Sequence, residues 1–417
     1  MSYAYDPQQA RTAVLAYSGG LDTSVAVRWL IEEMSLEVVA VAVDVGQGGD
    51  WDALRARALA AGATRCVVVD ARDELASEYA FASLRANALY EQKYPLVSAL
   101  SRPLISKHLV AQARLHGARA VAHGCTGKGN DQVRFEVSVR ALAPDLEMIS
   151  PARVWGMTRE QSIEYAKRHG VPLDAKKSSG GDIYSIDQNL WGRAIECGVL
   201  EDPWERPPDD VYELTVQAAT EPREIVISFE EGVPVALDDR ALSPREMIEE
   251  VSRIVGSYGW GRLDMVENRR VGIKSREVYE CPGSLALIMA HSDLESLTLE
   301  RDLAHEKARL EPRWAELVYD GLWFSPLKEA LDSFMISSQR YVSGDVKLVC
   351  EPGRCYVAGR RSPVALYDWE LATYDAADSF RHSDAEGFVR LWGLGVETWA
   401  ARQARRGSGG ESASDVG

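Results

Sequence analysis

Residues 12–30 read TAVLAYSGGLDTSVAVRWL, an apolar β-branched run, two glycines among hydroxyls, and then a segment of helical period. The run Thr12–Tyr17 has the length of a buried strand. Gly19 and Gly20 give the following turn backbone conformations closed to other residues, so successive N–H groups can face an anion. Ser18, Thr23 and Ser24 add hydroxyl donors. A helix beginning near Thr23 aims its unpaired N–H groups and positive dipole end at the same place. The physics points to phosphate, and a pyrophosphate fits. No Lys stands in the turn, so it is not a Walker A loop, and GxGxxG is absent.

Outward from this stretch, strand-length runs recur at Leu36–Val43, Arg65–Val69 and Ala120–Ala122. Helical segments at 23–33, 51–62, 73–90 and 101–117 alternate with them. Such alternation requires crossover units and a parallel sheet covered on both faces, which predicts a doubly wound α/β domain over residues 1–175. Ligands then collect beyond the carboxyl ends of the strands. The polar, Gly-rich KKSSGGD (176–182) breaks the pattern and reads as linker, although Ser179–Asp182 repeats the letters of the first loop.

A second domain, 176–380, is predicted to be α+β. VYELTVQA (211–218) reads as a strand, REIVISFEEGVPVALD (223–238) as a hairpin, and DVKLVCEPGRCYVAGR (345–360) as another. Ser243, Pro244 and Glu246 spell a capped helix start, with Met247, Ile248, Val251, Ile254 and Val255 on one face. Residues 381–406 carry Phe388, Leu391, Trp392, Val396 and Trp399, an apolar load suited to an arm that docks on another subunit. The Gly and Ser-rich tail 407–417 is predicted to be disordered.

Composition narrows the function. The 417 residues carry 47 basic and 63 acidic side chains, a formal charge of −16, which disfavours nucleic acid as partner. The longest early uncharged apolar stretch, Val38–Val43, falls far short of the roughly 20 residues that cross a bilayer, so no membrane partner is expected. The opening MSYAYDPQQARTAV has no basic region leading into an apolar one, and a cytoplasmic protein is expected. The six cysteines form no CxxC pair or metal spacing. Cys350 and Cys355 flank a turn at facing hairpin positions, where they need no redox role.

A second loop follows the short strand at Ala120, in HGCTGKGNDQVRFE (123–136). With a helix starting near Asn130, helical spacing puts Asn130 and Arg134 on one face and Asp131 about 100° around. Arg134 can then clamp a carboxylate, while Thr126, Gly127 and Lys128 offer donors to a second anion. The bland alternative is an Asn helix cap among exposed charges.

Together, SGGLDTS, HGCTGKGNDQVRFE, YSIDQNLWGR (184–193) and VENRRVGIKSREVYE (266–280) resemble the argininosuccinate synthase family, whose first loop is of the pyrophosphatase type. The resemblance runs from about Thr12 to Trp392. It implies an enzyme that joins citrulline and aspartate at the expense of ATP, releasing AMP and pyrophosphate, with Mg²⁺ as cofactor and a homotetrameric assembly. By the same resemblance Ala16, Tyr17, Ser18, Gly19, Gly20, Leu21, Asp22, Thr23 and Ser24 would hold ATP, with Val43 by the adenine and Gly124 on the nucleotide. Asp22 would organise Mg²⁺ through the phosphates rather than through a protein metal cluster. Tyr94, Ser98, Asn130, Arg134, Ser185, Glu267 and Tyr279 would contact citrulline, and Thr126, Asn130 and Asp131 aspartate. Asp22, Asn130 and Arg134 are then the residues expected to matter most for catalysis, in a cleft between the domains. Two positions depart from the family pattern: Ala99 follows Ser98 where relatives carry a hydroxyl, and Ala194 stands where they carry a serine. Ser98 is expected to replace the first hydroxyl, and nothing replaces the second. A surface ion pair is the alternative reading of Glu267. Rival functions are another adenylating enzyme with this loop, such as one modifying tRNA, and a catalytically silent ATP-binding sensor.

Overall fold

The computed structural model describes residues 11–172, 184–374 and 379–408, with side chains to Arg405. The predicted boundary at 175, the 176–182 linker and the tail beyond Ser408 lie outside the described residues. Residues up to Val364 form one compact unit and those from Ala365 a second.

The first unit begins with a five-stranded parallel sheet of order β3-β2-β1-β4-β5. Its strands are β1 (Arg11–Ala16), β2 (Leu36–Asp44), β3 (Arg65–Asp70), β4 (Ala120–Ala122) and β5 (Glu147–Ile149). In β2 every residue but Glu37 is buried, as expected of a strand covered on both faces. Around the sheet lie α1 (Leu21–Met34), α2 (Trp51–Ala60), α3 (Val97–Leu115), α4 (Asp131–Leu142) and α5 (Arg159–Arg168). From β1 the chain steps out through β2 to β3, then returns to place β4 on the other side. The switch point therefore lies between β1 and β4, and the loops after those strands open into one crevice.

Helix boundaries depart from the sequence reading in the stretch between β3 and β4. The segment predicted as one helix to Tyr90 is Arg72–Glu74, a π-helical stretch Leu75–Ala80, and Phe81–Arg85. Helix α3 starts at Val97 because Leu96 takes a left-handed conformation, with φ of 66°. That turn is held from outside: Asn189 Nδ2 donates to the Val97 carbonyl at 2.7 Å and Trp191 Nε1 to the Pro95 carbonyl at 2.8 Å.

The remainder of the unit is built on two antiparallel sheets. One, of order β11-β12-β7-β6, contains β6 (Ser185–Asn189), β7 (Gly192–Glu196), β11 (Arg262–Asn268) and β12 (Lys274–Glu280). The other, of order β10-β9-β8-β13-β14, contains β8 (Arg223–Glu230), β9 (Val233–Leu237), β10 (Arg240–Ala241), β13 (Gly344–Glu351) and β14 (Arg354–Arg361). The β8–β9 turn uses two left-handed residues, Glu231 and Gly232, which match the twist of a tight hairpin. Helix α6 (Pro244–Gly256) starts with the predicted capping box, and all five predicted face residues are buried. Three further helices follow, α7 (Pro282–Thr298), α8 (Arg301–Tyr319) and α9 (Pro326–Ser338). Cys350 and Cys355 face each other across β13–β14 as free thiols, their sulfurs 3.8 Å apart.

The predicted strand at 211–218 does not form. Its backbone N–H groups are claimed by a side chain instead. Glu280, fully buried, accepts from the N–H of Glu213, Leu214 and Thr215, from the Thr215 hydroxyl, and from Arg193 Nη1 at 2.9 Å. A carboxylate that meets five donors replaces a ladder partner, which local alternation cannot reveal. In the second unit, α10 (His382–Ser408) exposes Phe388, Leu391, Trp392, Val396 and Trp399.

Removing the Glu280 carboxylate orphans those N–H groups and leaves buried Arg193 with the exposed Glu213 as its remaining carboxylate. Glu280→Ala is expected to lower the unfolding free energy by about 3–5 kcal/mol. Denaturant titration checks this, and an unchanged midpoint would contradict the network.

Candidate active site

The turn after β1 is shaped by Gly19, whose φ of +72° suits glycine; a Cβ there would come 3.1 Å from Arg57 Nη2 and 3.3 Å from Leu54 Cδ1. Gly20 caps α1 from an extended conformation, and no side chain caps that helix. The helix starts at Leu21, two residues before the predicted Thr23. Hydroxyls line the turn in two pairs, Ser18 Oγ with Thr23 Oγ1 at 3.2 Å and Tyr17 Oη with Ser24 Oγ at 3.0 Å. The helix's first N–H groups are thus left to an anion. Asp22, in the first helical turn, has an exposed side chain. The surrounding protein still raises its carboxyl above the ordinary aspartate value, against the pull of Arg159.

The loop after β4 meets this turn directly, since a Cβ on Gly124 would lie 3.0 Å from Thr23 Cγ2. His123, buried at the strand end, accepts the Cys125 N–H on Nδ1 at 3.2 Å. Farther along, Gln132 Nε2 donates to the Gly127 carbonyl at 2.5 Å and ties the loop to its own helix. Val43, the last residue but one of β2, has its side chain buried.

Helix α4 then delivers three polar side chains. Asn130 is not a conventional cap: its Nδ2 donates to Tyr319 Oη at 2.8 Å and its Oδ1 accepts the Arg270 N–H at 2.9 Å. Arg134, 4% exposed, donates through Nε to the Tyr319 carbonyl at 3.0 Å and through Nη1 to Asp131 at 2.9 Å. It caps the C-terminal end of α8, where carbonyls lack helical partners. Gly321 makes the approach possible, because a Cβ there would lie 2.8 Å from Arg134 Cα. Asp131 is also clamped by Arg102, which reaches across to Asp187 with Nη2 at 2.7 Å from each carboxylate. Burial opposes the charge on Asp131, but Arg102 and Arg134 prevail and hold its carboxyl below the usual range.

Facing α4 is a cluster of phenols and carboxylates. Glu267, 2% exposed, accepts from Tyr319 Oη at 2.8 Å and Tyr279 Oη at 2.9 Å. It is therefore no surface ion pair. Tyr94 stacks on Tyr279 with centroids 4.4 Å apart, and Tyr90 on Tyr319 at 3.6 Å. The Tyr94 hydroxyl accepts the Ser98 N–H at 2.9 Å, which ties the start of α3 to the cluster. Burial, reinforced by Glu267, raises the phenols of Tyr319 and Tyr279. They are hydrogen-bond donors at neutral pH.

Among the predicted residues, the 16–24 turn and Gly124 thus come together, while Tyr94, Ser98, Asn130, Asp131, Arg134, Glu267 and Tyr279 join one cluster through Tyr319. Thr126 and Ser185 stay exposed and hydrogen-bond to none of these. Ala99 is buried in the core, and Ala194 pairs with Tyr279 across β7–β12. Sequence reasoning missed Tyr90, Arg102, Asp187, Glu277 and Tyr319. For Tyr319 the available signal was the helix-ending YDG, and for Asp187 and Glu277 their place inside quoted motifs.

Both parts of the chain match known proteins. Residues 12–172 match the arginosuccinate synthase N-terminal HUP domain, and residues 184–399 the arginosuccinate synthase C-terminal domain. The chain is 56% identical over 384 residues to the argininosuccinate synthase of Geobacillus thermodenitrificans (strain NG80-2), a match covering 91% of this chain and 94% of that one.

The phosphate-facing turn depends unequally on its two glycines. Gly19→Ala forces a left-handed conformation against Arg57 and is expected to cost about 1–2 kcal/mol of stability. Gly20→Ala, with φ of −77° and its nearest contact at 3.5 Å, is expected to cost about half as much. Thermal unfolding of both variants checks the ranking, and equal losses would contradict it.

Proposed function

The chain belongs to the argininosuccinate synthase family, and from that premise we propose how its crevice performs the family's reaction. The enzyme is an ATP-dependent ligase that condenses citrulline with aspartate, giving argininosuccinate, AMP and pyrophosphate. The ureido oxygen of citrulline attacks the α-phosphorus and pyrophosphate leaves. The amine of aspartate then attacks the activated ureido carbon, and AMP leaves. Neither step uses a protein nucleophile, so catalysis rests on positioning and on neutralising the departing pyrophosphate.

The observation that carries the assignment of roles is the contact of Gly124 with Thr23, which brings the anion-facing turn and the Asn130–Arg134 helix start onto one crevice. In our reading, residues 16–24 hold the triphosphate, with the adenine beside Val43 and the nucleotide passing Gly124. Arg134 receives the citrulline carboxylate, and Glu267, Tyr279, Tyr94 and Ser98 enclose the rest of that substrate, with Ser185 at the rim. Thr126, Asn130 and Asp131 address aspartate. Asp131 owes its orientation to Arg102, so Arg102 is a positioning residue. Magnesium would take its ligands mainly from phosphate oxygens and water, with Asp22 the carboxylate of the loop able to hold it. When bound, the ion would neutralise charge on the leaving pyrophosphate.

Supplied with ATP, citrulline and aspartate together, the enzyme is expected to form AMP and pyrophosphate, with no turnover when any one is omitted. Chromatography of the nucleotides checks this, and ADP in place of AMP would remove the adenylation step and leave the silent-sensor and rival-ligase readings to be reconsidered.

We propose further that the protein is a cytoplasmic homotetramer, with an α/β ATP-binding domain to residue 175, a synthetase domain to 380 and an oligomerisation arm at 381–406. The exposed aromatic face of α10 supports that arm, and no helix among the described residues is long and apolar enough to cross a membrane. A chain ending before Asp384 is expected to sediment as a smaller species. An unchanged mass would make the arm dispensable.

A further inference from the structure

One face of the β11-β12-β7-β6 sheet carries more acid than its known partners neutralise. The register places Glu267, Glu277, Tyr279, Ala194, Glu196 and Asp187 on that face. With Asp131, five carboxylates meet three guanidinium groups there, those of Arg102, Arg134 and Arg269. The deficit concentrates at Tyr279. Its hydroxyl lies 2.9 Å from Glu267 Oε2 and 2.8 Å from Glu277 Oε2. A phenol has one proton to give, so both contacts are satisfied only when one carboxyl brings a proton of its own. Glu267 already accepts from Tyr319, whereas Glu277 has, among the described residues, beyond Tyr279 only Arg269, at 3.2 Å. Arg269 is shared with Glu196 and Ser275.

We propose that Glu277 is a further substrate-positioning residue: together with Glu267 it seats the α-ammonium group of citrulline, giving up its own proton to solvent when that cation arrives. The inference rests on the reading that this pocket takes citrulline. No covalent bond changes; a carboxyl proton leaves and a carboxylate–ammonium pair replaces it. Two carboxylates either side of one phenol make a poor resting arrangement and a good seat for an ammonium with three donors. Ala194, across from Tyr279, adds no bulk to this face.

The groups that face Glu277 set its proton affinity. Burial raises it most and the Glu267 charge adds to this, while Tyr279 from its own strand and Arg269 from beyond β11 oppose, leaving the carboxyl near 7. Glu196, on β7, is also raised, by burial and then by Glu277. Tyr94, stacked on Tyr279, stays a neutral phenol, and Arg134 lies beyond it. The sign follows: below about 7 the seat is protonated and citrulline must displace a proton, so citrulline binding weakens as pH falls through that value.

Citrulline binding to the full-length protein is measured calorimetrically at pH 6.5 in two buffers of different ionisation enthalpy, alongside the pH dependence of the citrulline KM. The wild type is expected to release most of one proton, and its KM to rise about eightfold from pH 7.5 to 6. Glu277→Gln is expected to release none and to show a flat, weaker citrulline KM, with the KM for ATP unchanged as the sign of an intact fold. Equal release in both proteins, none in the wild type, or release lost only in Glu196→Gln overturns the proposal. Arg134→Lys separates the levels. If it leaves citrulline affinity unchanged, the pocket assignment falls and this inference with it; if it weakens citrulline while Glu277→Gln keeps the wild-type slope, only the role of Glu277 falls.

Discussion

A single buried carboxylate, Glu267, organises the place where α4, α8 and the β11–β12 pair meet. Glu267 is removed from water, and a lone charge in that position would be strongly unfavourable. It is tolerated because two phenols donate to it, and one of them, Tyr319, also accepts from Asn130. The chain Asn130–Tyr319–Glu267–Tyr279 runs from the residue before α4, through the end of α8, to the β11–β12 pair. It fixes where α4 begins. The loop before α4 is fixed in turn, and Gly124 of that loop rests on Thr23 of the phosphate-facing turn.

The geometry suits a reaction without a protein nucleophile. The turn after β1 presents backbone N–H groups and hydroxyls, while the start of α4 presents the Asp131–Arg134 pair. Asp131 and Arg134 bond to each other and to fixed neighbours, so neither must reorganise when charge moves between substrates, which is the condition for electrostatic preorganisation. The acid excess around Tyr279 is the basis of the proposed seat for a substrate ammonium group.

Much of the α/β part was legible in the sequence because parallel-sheet units are locally consistent: Leu36–Val43 is apolar at nearly every position, and the glycines at 19 and 20 punctuate strand from helix. The α6 capping box was legible for the same reason. Residues 211–218 were not, since their alternation is that of a strand and their partner is the side chain of Glu280, some 65 positions away. Among the site residues, those inside strand-to-helix loops could be found from spacing. Tyr319 could not, because the YDG around it marks a helix end and does not distinguish a core tyrosine from one that joins Asn130 to Glu267. Arg102 lies on a helix face whose apolar neighbours suggest packing alone, and its bonds to Asp131 and Asp187 arise only when α3, α4 and β6 converge.

The hydrogen-bonded chain through Glu267 is tested most directly by a double-mutant cycle of Tyr319→Phe and Glu267→Gln, read in kcat/KM for citrulline. If the two side chains act as one unit, the double variant loses less than the sum of the single losses, with a coupling of about 1 kcal/mol or more. Losses that add within about 0.3 kcal/mol would mean that the two groups work independently, and the crevice would need another organising contact.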